Sequence, residues 1–82
     1  MQFEYTENGE TAILEYRYYK KKNIAFMHTV VPEAMKGKGV ATALAEYAFA
    51  FAIDIKKKVM VYCPFVASYV AKHPEMRPYL YQ

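Results

Sequence analysis

One boundary governs how this chain can fold. Before it, residues alternate in the manner of strands. After it, from the residue following Gly39 to about Ile55, an alanine-dominated run continues without Gly or Pro, which predicts a helix. Pro32 and the run Lys36-Gly37-Lys38-Gly39 mark the change. Proline has no N–H to donate to a strand ladder, so a strand ends there. A domain of fewer than about fifty residues rarely holds a core, so the 82 residues are read as one domain spanning 1–82.

On the N-terminal side, Phe3–Thr6 reads as a short strand closed by Asn8-Gly9, a strong hairpin signal. Thr11–Tyr19 is a longer strand rich in β-branched and aromatic residues, and Lys20, Lys21, Lys22 and Asn23 form the next turn. Ile24–Val31 is a third strand. Simple alternation puts Ile24, Phe26, His28 and Val30 on one face, and Ala25, Met27, Thr29 and Val31 on the other. In the helix, Val40, Leu44, Tyr47, Phe51 and Ile55 form a stripe expected to face the sheet. Phe49 and Ile53 fall on the opposite side, where they serve either packing against the C-terminal segment or a homodimer surface. Val59–Tyr62 is an inner strand, parallel to its neighbour because a helix joins them. Phe65–Lys72 is a short helix stopped by Pro74, and the tail is one loose turn. The predicted class is α+β: an antiparallel three-strand meander, a helix, a parallel strand and a short C-terminal helix.

Composition narrows the function. A single Cys makes no internal disulfide, which predicts a reducing cytoplasm and argues against a stapled secreted scaffold. The same count excludes zinc-cluster spacings, so no metal site is predicted. The first ten residues lack the pattern of a signal peptide, and no apolar run is long enough to span a bilayer. A net charge of +3 is mild, and a nucleic-acid partner is not expected from it. Tyr16, Tyr18 and Tyr19 followed by lysines satisfy plain sheet packing as well as base stacking.

The chemistry concentrates at the boundary. Glycines let backbone N–H groups turn inward, and a helix N-terminus adds roughly half a positive charge, so together they cradle a phosphate. Lys36 and Lys38 add charge and Thr42 a hydroxyl. The spacing of a P-loop is absent, and the dinucleotide fingerprint fails at Thr42 and at Asp54, which lies inside the helix.

Lys36-Gly37-Lys38-Gly39-Val40-Ala41-Thr42 instead resembles the acetyl-coenzyme A (acetyl-CoA) pyrophosphate loop of the GNAT superfamily of N-acetyltransferases. Lys36 stands where that loop usually has Gln or Arg. With His28-Thr29, Cys63-Pro64-Phe65-Val66-Ala67, Tyr69 and His73-Pro74-Glu75, residues 24–80 are similar to a short, single-core subgroup of that superfamily. The resemblance implies a minimal GNAT-like fold with a slot for acetyl-CoA, or CoA, between two splayed parallel strands. Pantetheine would pair with backbone at Thr29, Val30 and Val31. The pyrophosphate would rest on Lys36, Gly37, Lys38, Gly39, Val40, Ala41 and Thr42. An amine, unidentified by the sequence, would attack the thioester directly.

Val30 occupies the position where this subgroup commonly has a carboxylate. His28 is then the candidate base, or else a hydrogen-bonded structural residue. Cys63 is a candidate near the thioester, as a nucleophile or as a small buried hydrophobe. Tyr69 is either an acid for the leaving thiolate or a packing residue. The expected function is acetyl-CoA-dependent N-acetyl transfer by a monomer or homodimer. The rivals are a CoA-binding module without transfer activity and an interaction domain for nucleic acid or protein.

Overall fold

The structure, a computed structural model, describes residues 1–81. Gln82, the last residue of the expected domain, lies outside the described residues. Strand β1 (Gln2–Glu7) and strand β2 (Glu10–Tyr19) pair antiparallel from Gln2 opposite Glu15 to Glu7 opposite Glu10. Asn8 and Gly9 turn the hairpin with φ of 52° and 79°. Positive φ at both central residues matches the right-handed twist of the strands, and Asn and Gly reach it at least cost. Strand β3 (Asn23–Val30) continues the meander beside β2. Helix α1 (Val40–Asp54) crosses back to strand β4 (Lys58–Val61), which lies parallel to β3 and completes the order β1-β2-β3-β4. Helix α2 (Pro64–Lys72) follows, with Pro at its first position, where the missing N–H costs nothing. The α+β architecture expected from the sequence is the one observed, but β4, expected as an inner strand, stands at the end of the sheet with only a bridge to Leu80 beyond it.

Both helices cover the same face of the sheet. Leu44, Phe49, Val66 and Tyr69 join Phe3, Leu14, Ile24, Phe26 and Val59 in one core. The other face, with Glu4, Ile13, Glu15, His28 and Val30, has no helix over it.

Helix α1 turns a different arc to the sheet from the stripe expected. The buried arc of α1 is Leu44, Ala45, Ala48, Phe49 and Ala52, whereas Tyr47 is 62% exposed. Alanines let the helix lie close to the strands, and Phe49 fills the gap between β3 and α2. Its ring meets Phe26 edge-on at 5.5 Å and stacks on Tyr69 at 5.8 Å. Of the two uses weighed for Phe49, packing on the C-terminal segment is the real one; Ile53 stays exposed.

Strand β3 also departs from simple alternation. Glu15 pairs with His28 but Tyr16 pairs with Phe26, so Met27 is an extra residue and forms a bulge. The bulge shifts the alternation by one. Ile24 and Phe26 share the core face with Thr29, while His28 and Val30 point to the bare face.

The tail is more ordered than one loose turn. A short 3-10 helix spans Pro74–Tyr79, Leu80 then bridges Val59 in parallel, and the Tyr81 N–H donates to the Val59 carbonyl at 2.8 Å.

Candidate active site

Beside the bulge, β3 and β4 part. Pairing of β3 with β4 ends at Phe26 opposite Val61, and the last bond across it runs from the Tyr62 N–H to the Phe26 carbonyl at 3.0 Å. Beyond that point β4 gives way to α2 while β3 continues to Val30, held only by β2. The edge of β3 from Met27 onward therefore carries backbone groups with no strand partner among the described residues.

A groove of about 580 Å³ opens along this edge. Thr29, Val30, Val31, Lys36, Gly37, Gly39, Val40, Ala41 and Thr42 line it, so nine of the ten residues expected to hold acetyl-CoA are brought together. The tenth, Lys38, turns away, with its Nζ 3.8 Å from Glu7. Lys36 lines the groove with its Nζ 3.1 Å from Glu33, in an exposed pair that an anion can displace at little cost. Met35 and Phe65 complete the wall. Neither was assigned from sequence; Phe65 belongs to the Cys-Pro-Phe-Val motif, which was the available signal. Met35 is hidden behind the 3-10 turn Glu33–Met35, for which the sequence gives no cue.

The floor of the groove is a helix N-terminus built for an anion. Gly37 and Gly39 have φ of 80° and 77°, and Gly39 caps α1 without any side-chain bond. The first bond of the helix is from the Ala43 N–H to the Gly39 carbonyl, at 3.0 Å. The N–H groups of Val40, Ala41 and Thr42 thus emerge uncapped at the positive end of the helix dipole. A Cβ at either glycine would meet nothing within 4 Å, so the loop is uncrowded and its glycines are required by their positive φ alone. Free edge amides and an uncapped helix end fit the donor pattern that CoA requires.

Cys63 lies two residues past β4, at the N-cap position of α2, where its side chain makes no capping bond. It is buried, and its Sγ lies 3.1 Å from Thr29 Oγ1, a bracket across the parted strands. It is not brought to either histidine. His28 lies on the bare face, with Nε2 3.0 Å from Glu15 Oε1 and 68% of its side chain exposed. His73 stacks on Tyr69 at 4.5 Å and pairs with Glu75. Tyr69 is buried, and that burial, followed by the charges of Glu46 and Glu75, raises its phenol above the usual range. A phenol held protonated suits a proton donor as well as a core residue. No cluster of metal-ligating residues occurs among the described residues, and no helix is long and apolar enough to cross a membrane.

Comparison with known proteins agrees with this geometry. The chain is 36% identical over 75 residues to Protein NATD1 of Xenopus tropicalis, covering 89% of this chain and 69% of that protein. It is 35% identical over 75 residues to Protein NATD1 of Homo sapiens, covering 89% of this chain and 66% of that protein, and the mouse protein matches similarly at 35%. The family profile described as GCN5-related N-acetyl-transferase matches residues 2–79, nearly the whole sheet and both helices. The chain belongs to the GCN5-related N-acetyltransferase family.

Proposed function

We propose that this protein transfers the acetyl group of acetyl-CoA to an amine. The observation that carries the proposal is one continuous groove in which the unpaired edge of β3 meets the uncapped N-terminus of α1. When bound, acetyl-CoA supplies an activated thioester. The amides of Val40, Ala41 and Thr42, with Lys36, would hold its pyrophosphate. The free edge at Thr29–Val31 would align the pantetheine and offer an N–H to the developing oxyanion. Phe65 and Met35 would shield that arm from water.

With the helix side of the sheet taken by the cosubstrate, the acceptor approaches from the bare face. His28 stands on that face, on the strand that borders the slit, and is the proposed base. Cys63 is proposed to shape the slit through Thr29, with its capacity to carry an acetyl group a matter for mass spectrometry. The buried free thiol suits a reducing compartment, and the cytoplasm is the proposed location. A second reading, CoA binding without transfer, is favoured by Val30, a 56% exposed aliphatic residue where a carboxylate is common in the subgroup.

Calorimetric titration with acetyl-CoA and with CoA tests the groove, and release of free thiol during a screen of primary amines tests the transfer. Saturable one-site binding with amine-dependent thiol release is the expected result. Binding without release would favour the second reading, and no binding at millimolar ligand would overturn both.

A further inference from the structure

Resting on the transfer reading above, we propose that Glu15 is a positioning residue that holds His28 as the base. The two residues are directly opposed on β2 and β3, where cross-strand Cβ atoms lie about 4.5–5.5 Å apart. Both stand on strands rather than loops, so the pair is held by the sheet itself. Glu15 Oε1 lies 3.0 Å from His28 Nε2, and no other described side chain bonds that imidazole. A carboxylate only accepts hydrogen bonds, so the neutral ring carries its hydrogen on Nε2 and leaves the Nδ1 lone pair free.

Among the described residues, the one ion pair that Glu15 makes is with His28. Residues 1–16 contain no Lys or Arg, and the first cation of the strand is Arg17. Glu15 is also the more sheltered partner, with a side-chain exposure of 34% against 68% for His28. The bulge at Met27 is what makes the pairing possible, because it turns His28 out of the core face and opposite Glu15.

The amine nitrogen forms a bond to the acetyl carbon, the carbon–sulfur bond breaks, and CoA leaves as its thiolate. Nδ1 of His28 takes the amine proton, and the thiolate collects a proton from solvent. The imidazolium formed at that moment faces a carboxylate and is stabilised by it before it releases its proton to water. This is the role of the third group in a nucleophile–base–orienter arrangement.

The test compares Glu15→Leu, Glu15→Gln and His28→Ala in the full chain. Nitrogen-15 spectra of the wild-type His28 ring should show hydrogen on Nε2, and Glu15→Leu should lose that fixed tautomer. With a primary amine that the wild type acetylates, Glu15→Leu should lower kcat by about tenfold or more. The KM for acetyl-CoA and the melting temperature should stay near wild type. Glu15→Gln keeps an acceptor without the charge and should fall between the two. Glu15→Leu added to His28→Ala should cost nothing further.

An unchanged kcat in Glu15→Leu, or an added loss in the double variant, would overturn the assignment. A wild-type protein that binds acetyl-CoA yet acetylates no amine would overturn the transfer reading and the catalytic role of Glu15 with it. In that case the ring spectra still report whether Glu15 holds the imidazole.

Discussion

Substitution at Gly39 separates backbone geometry from steric fit. Gly39 adopts φ of 77° at the N-cap of α1, and a Cβ added there meets nothing within 4 Å. The whole cost of Gly39→Ala is therefore conformational, about 1–2 kcal/mol for an L-residue forced into the left-handed region. A chain of this length is expected to be stable by about 4–12 kcal/mol, so the variant still folds. Its melting temperature should drop by about 4–16 °C.

Gly39→Asn gives the discriminating comparison. Asn is larger than Ala but tolerates the left-handed region through local hydrogen bonding, so it should destabilise less. Urea unfolding followed by circular dichroism measures both, and acetyl-CoA titration of the same samples reads the loop. Because Gly39 lines the groove, affinity should fall in both variants, and a carboxylate in Gly39→Glu should abolish it by repelling an anionic ligand. An Ala variant more stable than the Asn variant would refute the backbone argument. So would a loss above about 3 kcal/mol, which would require crowding that this loop does not contain.

Phe49→Ala removes a fully buried ring between Phe26 and Tyr69 and should cost about 3–5 kcal/mol by urea unfolding, whereas Ile53→Ala, at an exposed site, should cost far less. Cys63→Ala breaks the contact with Thr29 and should lower stability by about 1–2 kcal/mol. It should also reduce transfer, with acetyl-CoA affinity near wild type and no acetyl adduct in intact-mass spectra. Tyr69 titrates late in the folded state, chiefly because it is buried, so the unfolded chain gives up that proton first. Stability should consequently fall as pH rises above 10.0, and Tyr69→Phe should remove that part of the alkaline loss in melts recorded across pH.

Much of the fold is legible because local signals agree. Asn8-Gly9, Pro32, the two loop glycines and Pro64 punctuate the chain at the points where elements begin and end. The loop of the groove is legible for the same reason, since its backbone conformation needs glycine and its helix needs an unbroken alanine run. What escaped was set by tertiary packing. Hydrophobicity alone made Tyr47 look buried and Phe49 exposed, because the arc of α1 that meets the sheet is the one whose alanines permit close approach. The faces of β3 escaped because a bulge leaves no mark in composition. Met27 looks like any strand residue, yet it decides that Thr29 meets Cys63 while His28 meets Glu15.

At Met27 the information lies in the number of residues rather than in their identity. The side chain there is only partly buried, so many residues would serve. The extra backbone unit is another matter. Deleting it would put His28 and Thr29 on these same faces without a bulge, but it would take out the local bend in the end of β3 that borders the groove. Among relatives of this chain, position 27 should drift freely in residue type while tolerating neither deletion nor a second insertion. A sequence that keeps the glycine loop but has lost one residue between Phe26 and Thr29 should have a differently shaped groove and, on the proposed function, should fail to bind acetyl-CoA.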